Sequence, residues 1–215
     1  MAEHVVLLHG LWMRPLVLAP LARQLRGEGF EVSVHGYPSL SRSAEAIIGE
    51  LRARVAALRD ELKSKLSGNE RTVHLVGHSL GGLIALQALR DERGLPPGRV
   101  VCLGSPLLGS RTARAVSAWP LAPWLVGHSG SLLREGVPPW LGARQVGAIA
   151  GHAPFGLGAL AGAVRGPGDG TVAVEETRLP GLSDHALVAT SHTGLIYSPV
   201  VGRMAARFLR QGRFA

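Results

Sequence analysis

The sequence predicts an α/β fold: a mainly parallel sheet with helices on both faces. Three observations carry this. Short apolar runs alternate along the chain with longer stretches of helical period, the order that builds βαβ units. The runs are continuously apolar rather than alternating, as in strands buried on both sides. And 215 residues, 46% hydrophobic and 18% charged, are enough for one full core and too apolar for disorder. The expectation is a single domain over residues 1–215, with a cap-like insertion over 106–143.

The elements follow in order. Val5 to Leu8 is a buried strand that stops at His9-Gly10. Arg14 to Gly27 reads as a helix, ended by Gly27 and Gly29, and Glu31 to His35 as the next strand, closed by Gly36-Tyr37-Pro38. From Ser43 to Leu66 the apolar positions Ile47, Leu51, Val55, Leu58 and Leu62 recur at helical spacing, and Ser67-Gly68-Asn69 stops the helix. Thr72 to Val76 is a strand, Leu80 to Arg90 a helix and Val100 to Leu103 a strand. Residues 106–143 break the rhythm with prolines and three of the four tryptophans. Val146 to Ala150 returns to strand. A Gly- and Pro-rich connection follows, with a short ribbon expected at Val172 to Glu175. Ala186 to Ala189 is the last strand, and Ser198-Pro199 opens the final helix with Pro at its first position.

Composition excludes several classes. The one cysteine, Cys102, lies in an apolar run and allows neither an internal disulfide nor a cysteine-cluster metal site. The net charge of +8 comes from 21 Arg and 2 Lys, but these are scattered along helices. Arg203, Arg207 and Arg210 form a stripe read as a solvated helix face. No nucleic-acid-binding motif is present, so no nucleic-acid partner is expected. No apolar run is long enough to span a membrane and no N-terminal stretch reads as a signal peptide, which makes the cytoplasm the default location.

The chemistry begins at Gly77-His78-Ser79-Leu80-Gly81. A Gly-x-Ser-x-Gly match alone is weak, and context carries it. The motif follows a buried strand and opens a helix, the setting of a nucleophile elbow. The flanking glycines permit a tight turn that lifts Ser79 out of the backbone, above a helix N-terminus. A second run, Gly127-His128-Ser129-Gly130, has no strand before it and is read as loop.

A serine nucleophile needs a base and the base an orienting carboxylate. Right-handed crossovers place every strand's carboxyl end on one edge, where chemistry gathers. After Ser79 the candidate histidines are His128, His152, His185 and His192. His128 belongs to the loop run, and His185 precedes the last strand and falls on the opposite edge. His152 follows a strand and stays open, but His192, just past the last strand, is preferred. Of the four aspartates, Asp60 and Asp91 sit on helix surfaces and Asp184 on the wrong edge. Asp169, in a glycine-rich loop, remains, with Glu175 and Glu176 in reserve.

An acyl-transfer intermediate needs N–H donors for its oxyanion. Leu80, directly after the nucleophile, supplies one, and the His9-Gly10-Leu11 turn supplies the other through Leu11, with Trp12 next in line.

These residues resemble the α/β-hydrolase superfamily, specifically its small bacterial lipases and esterases, over nearly the whole chain. His9-Gly10-Leu11 matches the oxyanion turn and Gly77 to Gly82 the elbow. Gly104-Ser105-Pro106 with Gly109-Ser110 is similar to the segment leading into a lipase lid. Gly168-Asp169-Gly170-Thr171-Val172 is similar to the acid loop and Ser191 to Ser198 to the histidine loop. Ser, Asp, His is the family's order. The first strand here stands where the family counts its third, which implies a minimal sheet of about six strands. With four aspartates a calcium site is not expected, and the chemistry calls for no cofactor.

The resemblance implies a serine hydrolase acting on a small-molecule or lipid ester. Trp12, His78, Leu107, Trp119, Trp124, Trp140 and Phe155 are the candidate substrate contacts, with all four tryptophans placed in catalytic-edge loops. An apolar acyl chain and contact with lipid interfaces follow as expectations. Thioesterase, acyltransferase and lipid-glycan deacylase readings share the same residues and differ only in substrate or acceptor. A non-catalytic ligand- or membrane-surface-binding relative is the remaining alternative.

Overall fold

The computed structural model describes residues 3–65, 72–91, 93–117, 127–153 and 166–215. Six parallel strands form one sheet: β1 (Glu3–Leu8), β2 (Glu31–His35), β3 (Thr72–His78), β4 (Val100–Leu103), β5 (Val146–Gly151) and β6 (Asp184–Val188). Their spatial order is β2-β1-β3-β4-β5-β6. The order reverses between β1 and β3, whose register pairs Leu8 with Gly77. That crevice is where open α/β sheets hold their ligands.

Seven helices are described: α1 (Ala19–Gly27), α2 (Ala44–Lys65), α3 (Leu80–Ala88), α4 (Arg111–Ser117), α5 (Gly130–Glu135), α6 (Gly194–Tyr197) and α7 (Pro199–Gln211). Alternate strand residues face two separate cores. Val6, Leu8, Leu75, Val100 and Cys102 join the side chains of α2 and α3 on one face. Val5, Leu7, Val76, Val101 and Leu103 join α1, α6 and α7 on the other. A sheet covered on both sides must be apolar on both sides, which is why its strands read as unbroken apolar runs.

Local chemistry explains the element ends. Ile47, Leu51, Val55, Leu58 and Leu62 are all buried, so α2 turns one continuous stripe to the sheet. Ser198 caps α7 by accepting from Val201 N at 3.4 Å, and Gly212, at φ 76°, closes it. Arg203, Arg207 and Arg210 lie on its exposed face, with the Arg210 guanidinium 4.9 Å over the Phe30 ring. Cys102 is fully buried, and burial pushes its thiol up to about 12.

Three expectations need correction. The helix expected from Arg14 is a 3-10 turn, Pro15–Leu18, followed by α1. Pro20 has no N–H to return to the Leu16 carbonyl, so a continuous α-helix cannot run through it. The ribbon expected at Val172 to Glu175 reduces to an antiparallel bridge between Gly168 and Ala173 and a 3-10 turn, Val174–Thr177. Side-chain carboxylates take the amides that a ribbon would need: Asp169 Oδ1 accepts from Thr171 N and Val172 N, and Glu176 Oε2 from Ala173 N. The last strand begins two residues early, because Asp184 already pairs with Gly147. Within the expected 106–143 insertion the described parts form α4, α5 and a 3-10 turn at Gly127–Ser129.

Among the described residues no helix is long and apolar enough to cross a membrane. Phe208 is fully buried, stacks on Phe214 at 4.7 Å between centroids and lies under the glycine at position 147 of β5. Replacing it opens a cavity between α7 and the sheet. Phe208→Ala should cost about 3–5 kcal/mol, read as a lower midpoint in urea unfolding with an unchanged slope.

Candidate active site

Ser79 follows β3 and is the N-cap of α3, at φ 54° and ψ −120°. Among the described residues only Trp12, at φ 62°, shares a positive φ without being glycine. Such strain persists where the surroundings over-determine it. Ser79 N donates to Leu103 O at 2.8 Å, and Gly82 N to Ser79 O at 3.1 Å. The turn admits only glycine beside it. A Cβ on Gly77 would lie 2.4 Å from Gly81 C, and one on Gly81 2.6 Å from Leu8 O. The result is a half-buried hydroxyl-bearing residue over a helix start, whose first N–H groups have no partner within the helix.

Asp169 and His192 meet at the same edge of the sheet, with the His192 ring against that of His78. Asp169 is buried to 1% exposure. Its Oδ1 accepts from Thr171 N at 3.0 Å and Val172 N at 2.8 Å, and its Oδ2 contacts His192 Nδ1 at 2.7 Å. A carboxylate can only accept, so Nδ1 carries a proton, and in the neutral ring Nε2 then holds the lone pair. The main chain reinforces the pair, since His192 N donates to Asp169 O at 2.9 Å. Gly104, at φ 55° after β4, leaves room for both: a Cβ there would lie 3.0 Å from Asp169 Oδ2 and 3.1 Å from His192 Nδ1.

His78 links this pair to the serine. It is fully buried, its ring lies 4.7 Å from that of His192, and its Nε2 donates to His192 O at 3.0 Å. Burial and the neighbouring His192 push its pKa down to about 3, so the ring is neutral. On the far side, a Cβ on Gly10 would lie 3.1 Å from both His78 Nδ1 and Ser79 Cβ. The turn after β1 therefore sits directly against the serine. Trp12 N, the second candidate donor on this turn, is already bonded to Ser39 Oγ at 3.2 Å.

Other residues singled out from the sequence fall elsewhere. Trp140 is buried in the larger core; its Nε1 donates to Arg144 O and its N to Pro180 O, both at the opposite edge of the sheet. It is not a catalytic-edge residue. Leu107 is fully buried in the same core. His78 has the positioning contacts just described in place of an open substrate face. Trp12 is 51% exposed at the mouth of the crevice. Trp119, Trp124 and Phe155 lie outside the described residues. His152 is exposed after β5, and His185 Nε2 bonds Thr177 Oγ1 at 2.7 Å. Glu176 holds Arg111 N and Ala173 N, while the exposed Glu175 pairs with Arg111. Ser129 is buried in its 3-10 turn, beside Ser39. Among the described residues no group of three or more His, Cys, Asp or Glu is placed to hold a metal ion.

Sequence reasoning missed Gly104 as a packing position for the acid and base, and the contacts of His9 with Tyr37. A glycine closing the strand beside β3 was the available signal for the first. Nothing local signalled the second, because the partners stand 28 residues apart.

The family model described as "Alpha/beta hydrolase family" matches residues 5–213, and the chain belongs to that family. No curated protein matches it in sequence. Among solved structures it is similar to a metagenomic carboxyl esterase, MGS0156, at 17% identity and a TM-score of 0.65, covering 98% of this chain and 76% of that one. It is similar to a soluble variant of monoglyceride lipase from Saccharomyces cerevisiae, solved with a substrate analog, at 12% identity and a TM-score of 0.66, covering 97% and 86%. It is also similar to phospholipase PlaB from Legionella pneumophila, at 16% identity and a TM-score of 0.63, covering 82% of this chain and 46% of that one. The chain thus spans about half the length of PlaB.

Two outcomes follow from this geometry. Gly104→Ala should separate Asp169 from His192 and force a left-handed backbone on alanine, so activity should fall more than stability, measured as kcat against melting temperature. His78 has a folded pKa of about 3 against an ordinary 6.5, so the unfolded chain takes up a proton that the folded one refuses. Stability contributed by the neutral ring is full above pH 6.5 and is lost as pH falls from there toward 3. His78→Gln, which keeps a donor for His192 O, should reduce the proton uptake on unfolding by about one, read from urea stability across that window.

Proposed function

We propose that this alpha/beta hydrolase is a serine carboxylic-ester hydrolase acting on esters with apolar acyl chains. The observation that carries the reading is the buried Asp169–His192 pair, 2.7 Å apart, at the same sheet edge as the strained Ser79. A carboxylate that fixes one imidazole nitrogen as donor leaves the other as base, beside a serine raised on a helix start.

The steps balance without any other group. His192 Nε2 takes the Ser79 proton as Oγ attacks the ester carbonyl. The tetrahedral oxyanion is held by Leu11 N–H and Leu80 N–H. Collapse breaks the carbon–oxygen bond to the alcohol, which leaves with the proton from His192. Water, deprotonated by His192, then attacks the acyl-enzyme; the carbon–Oγ bond breaks, the acid leaves, and His192 returns the proton to Ser79 Oγ. Asp169 stabilises the imidazolium each time it forms and does not itself take the proton.

The rim supports an apolar substrate. Trp12, Leu16 and Leu40 are exposed, and the β1 and β2 turns that carry them touch: Trp12 N bonds Ser39, and Pro15 packs on Gly36. Such a rim suits an acyl chain and a lipid interface. The MGS0156 esterase and the yeast monoglyceride lipase have names consistent with this substrate class.

The test is hydrolysis of p-nitrophenyl esters from acetate to palmitate, with Ser79→Ala in parallel. The expected result is ester hydrolysis that falls by about 10⁴-fold or more in the variant. Undiminished hydrolysis by Ser79→Ala would overturn the nucleophile. A fluorophosphonate that labels Ser79 in a protein inert to every ester would move the reading to thioesters or to transfer onto an alcohol.

A further inference from the structure

The donor turn after β1 contains a second histidine arrangement that the mechanism above does not use. The N–H of Leu11 and the carbonyl of Gly10 belong to one peptide group. That group is planar and trans, so its N–H and C=O point in opposite directions. Whatever holds the Gly10 carbonyl therefore aims the Leu11 N–H.

The Gly10 carbonyl is held by His9 Nδ1 at 2.9 Å, with Met13 N at 3.4 Å as a weaker second donor. A carbonyl only accepts, so this contact needs the proton on Nδ1. The other nitrogen agrees: His9 Nε2 faces Tyr37 N at 3.4 Å, and an amide N–H only donates, so Nε2 must be bare. The two contacts fix one neutral tautomer. Burial disfavours the charged ring and lowers its pKa. The ring has no freedom to turn, because Tyr37 stacks on it at 4.2 Å with 15° between planes, and the Tyr37 hydroxyl donates to the His9 carbonyl. Both residues are buried.

The aim of the peptide matters because of where it sits. A Cβ at Gly10 would lie 3.1 Å from Ser79 Cβ, so this peptide borders the space in which an oxyanion forms. Turned over, it would present a carbonyl oxygen to that oxyanion and repel it. Glycine at position 10 puts little steric obstacle in the way of such a flip. The next amide is fixed separately, by Ser39 on Trp12 N.

We propose that His9 is a positioning residue: held by Tyr37 in its Nδ1–H tautomer, it fixes the Gly10–Leu11 peptide with the Leu11 N–H directed at the oxyanion before substrate arrives. This rests on the acyl-transfer reading of the site. In this arrangement the hole is built in advance and costs no reorganisation during reaction.

The test uses the whole chain, two variants and one spectrum. His9→Phe keeps a ring against Tyr37 but removes the donor to Gly10. His9→Asn restores an N–H donor close to the Nδ1 position. kcat and KM are measured on a short p-nitrophenyl ester, together with inhibition by an alkylboronic acid, whose tetrahedral adduct mimics the intermediate, and the melting temperature. His9→Phe should lower kcat by about 10²-fold, as loss of one oxyanion donor does. KM should change little, boronate inhibition should weaken in step with kcat, and His9→Asn should recover most of the loss. Wild-type kcat in His9→Phe, or a fall that His9→Asn does not recover at an unchanged melting temperature, would overturn the proposal. Nitrogen NMR of the wild-type histidines reads the tautomer directly and needs no activity. A protonated Nδ1 with a bare Nε2 supports the lock, and an Nε2–H tautomer overturns it even where a variant fails to fold. Absence of Ser79-dependent ester hydrolysis in the wild type would count against the proposed function and leave the tautomer result standing.

Discussion

The close approach of β1 and the start of α3 governs the rest of this structure. The parallel pairing of Leu8 with Gly77 sets the two chains side by side, and Gly81 lets the helix pass over the end of β1. A side chain at position 81 would press on the carbonyls of Leu8 and His9, which are themselves fixed within β1 and the His9–Tyr37 contact. The contact is therefore between two backbones and leaves no side chain to yield. From it follow the placement of the Gly10 turn against Ser79, the strained φ of Ser79, and the reversal of strand order that opens the crevice. The backbone strain at Ser79 persists because packing of α3 between β3, β4 and the larger core holds both its ends.

Histidine serves here mostly as a neutral, directional hydrogen-bonding group. His9, His74 and His78 are buried, and in each burial is the largest cause of a lowered pKa. A neutral imidazole offers one donor and one acceptor on opposite sides of a rigid ring, so a single partner determines both roles. His78 Nε2 donates a hydrogen bond to the His192 carbonyl, and His74 Nδ1 accepts one from Arg99 N at 3.0 Å. His192 differs in the closeness and burial of its partner: Asp169 Oδ2, almost wholly buried, lies 2.7 Å from its Nδ1.

Much of this was legible in the sequence, for reasons that show where legibility ends. The six strands were visible because a sheet covered on both faces demands continuous apolar runs. Asp169 and His192 could be brought together because the topology fixes which strand ends share an edge, and few carboxylates and imidazoles were left to choose from. The errors come from segments where topology does not dictate position. The sequence puts Trp140 at the catalytic edge because the connection from β4 starts there. A crossover must also travel back, however, and Trp140 falls on the return leg just before β5. The ribbon at Val172 failed because two buried carboxylates bind the local amides, and pattern reading cannot see a side chain replacing a strand partner. The His9–Tyr37 contact was hidden for a related reason: it joins the ends of adjacent strands β1 and β2, and the register that aligns them exists only in three dimensions.

The lone thiol of Cys102 lies at the centre of the sheet, under α3, with its ionisation pushed far above neutral pH. A thiolate is the reactive form and needs access, so this residue is chemically silent. The folded protein is therefore a cysteine-free background for conjugation. A cysteine placed at an exposed position remote from the site, such as Leu141 at 91% exposure, would be the single point at which a dye, a spin label or a surface tether attaches. Attached there, such a probe would report on the protein while leaving the β1 and β3 turns and the native side chains around them untouched.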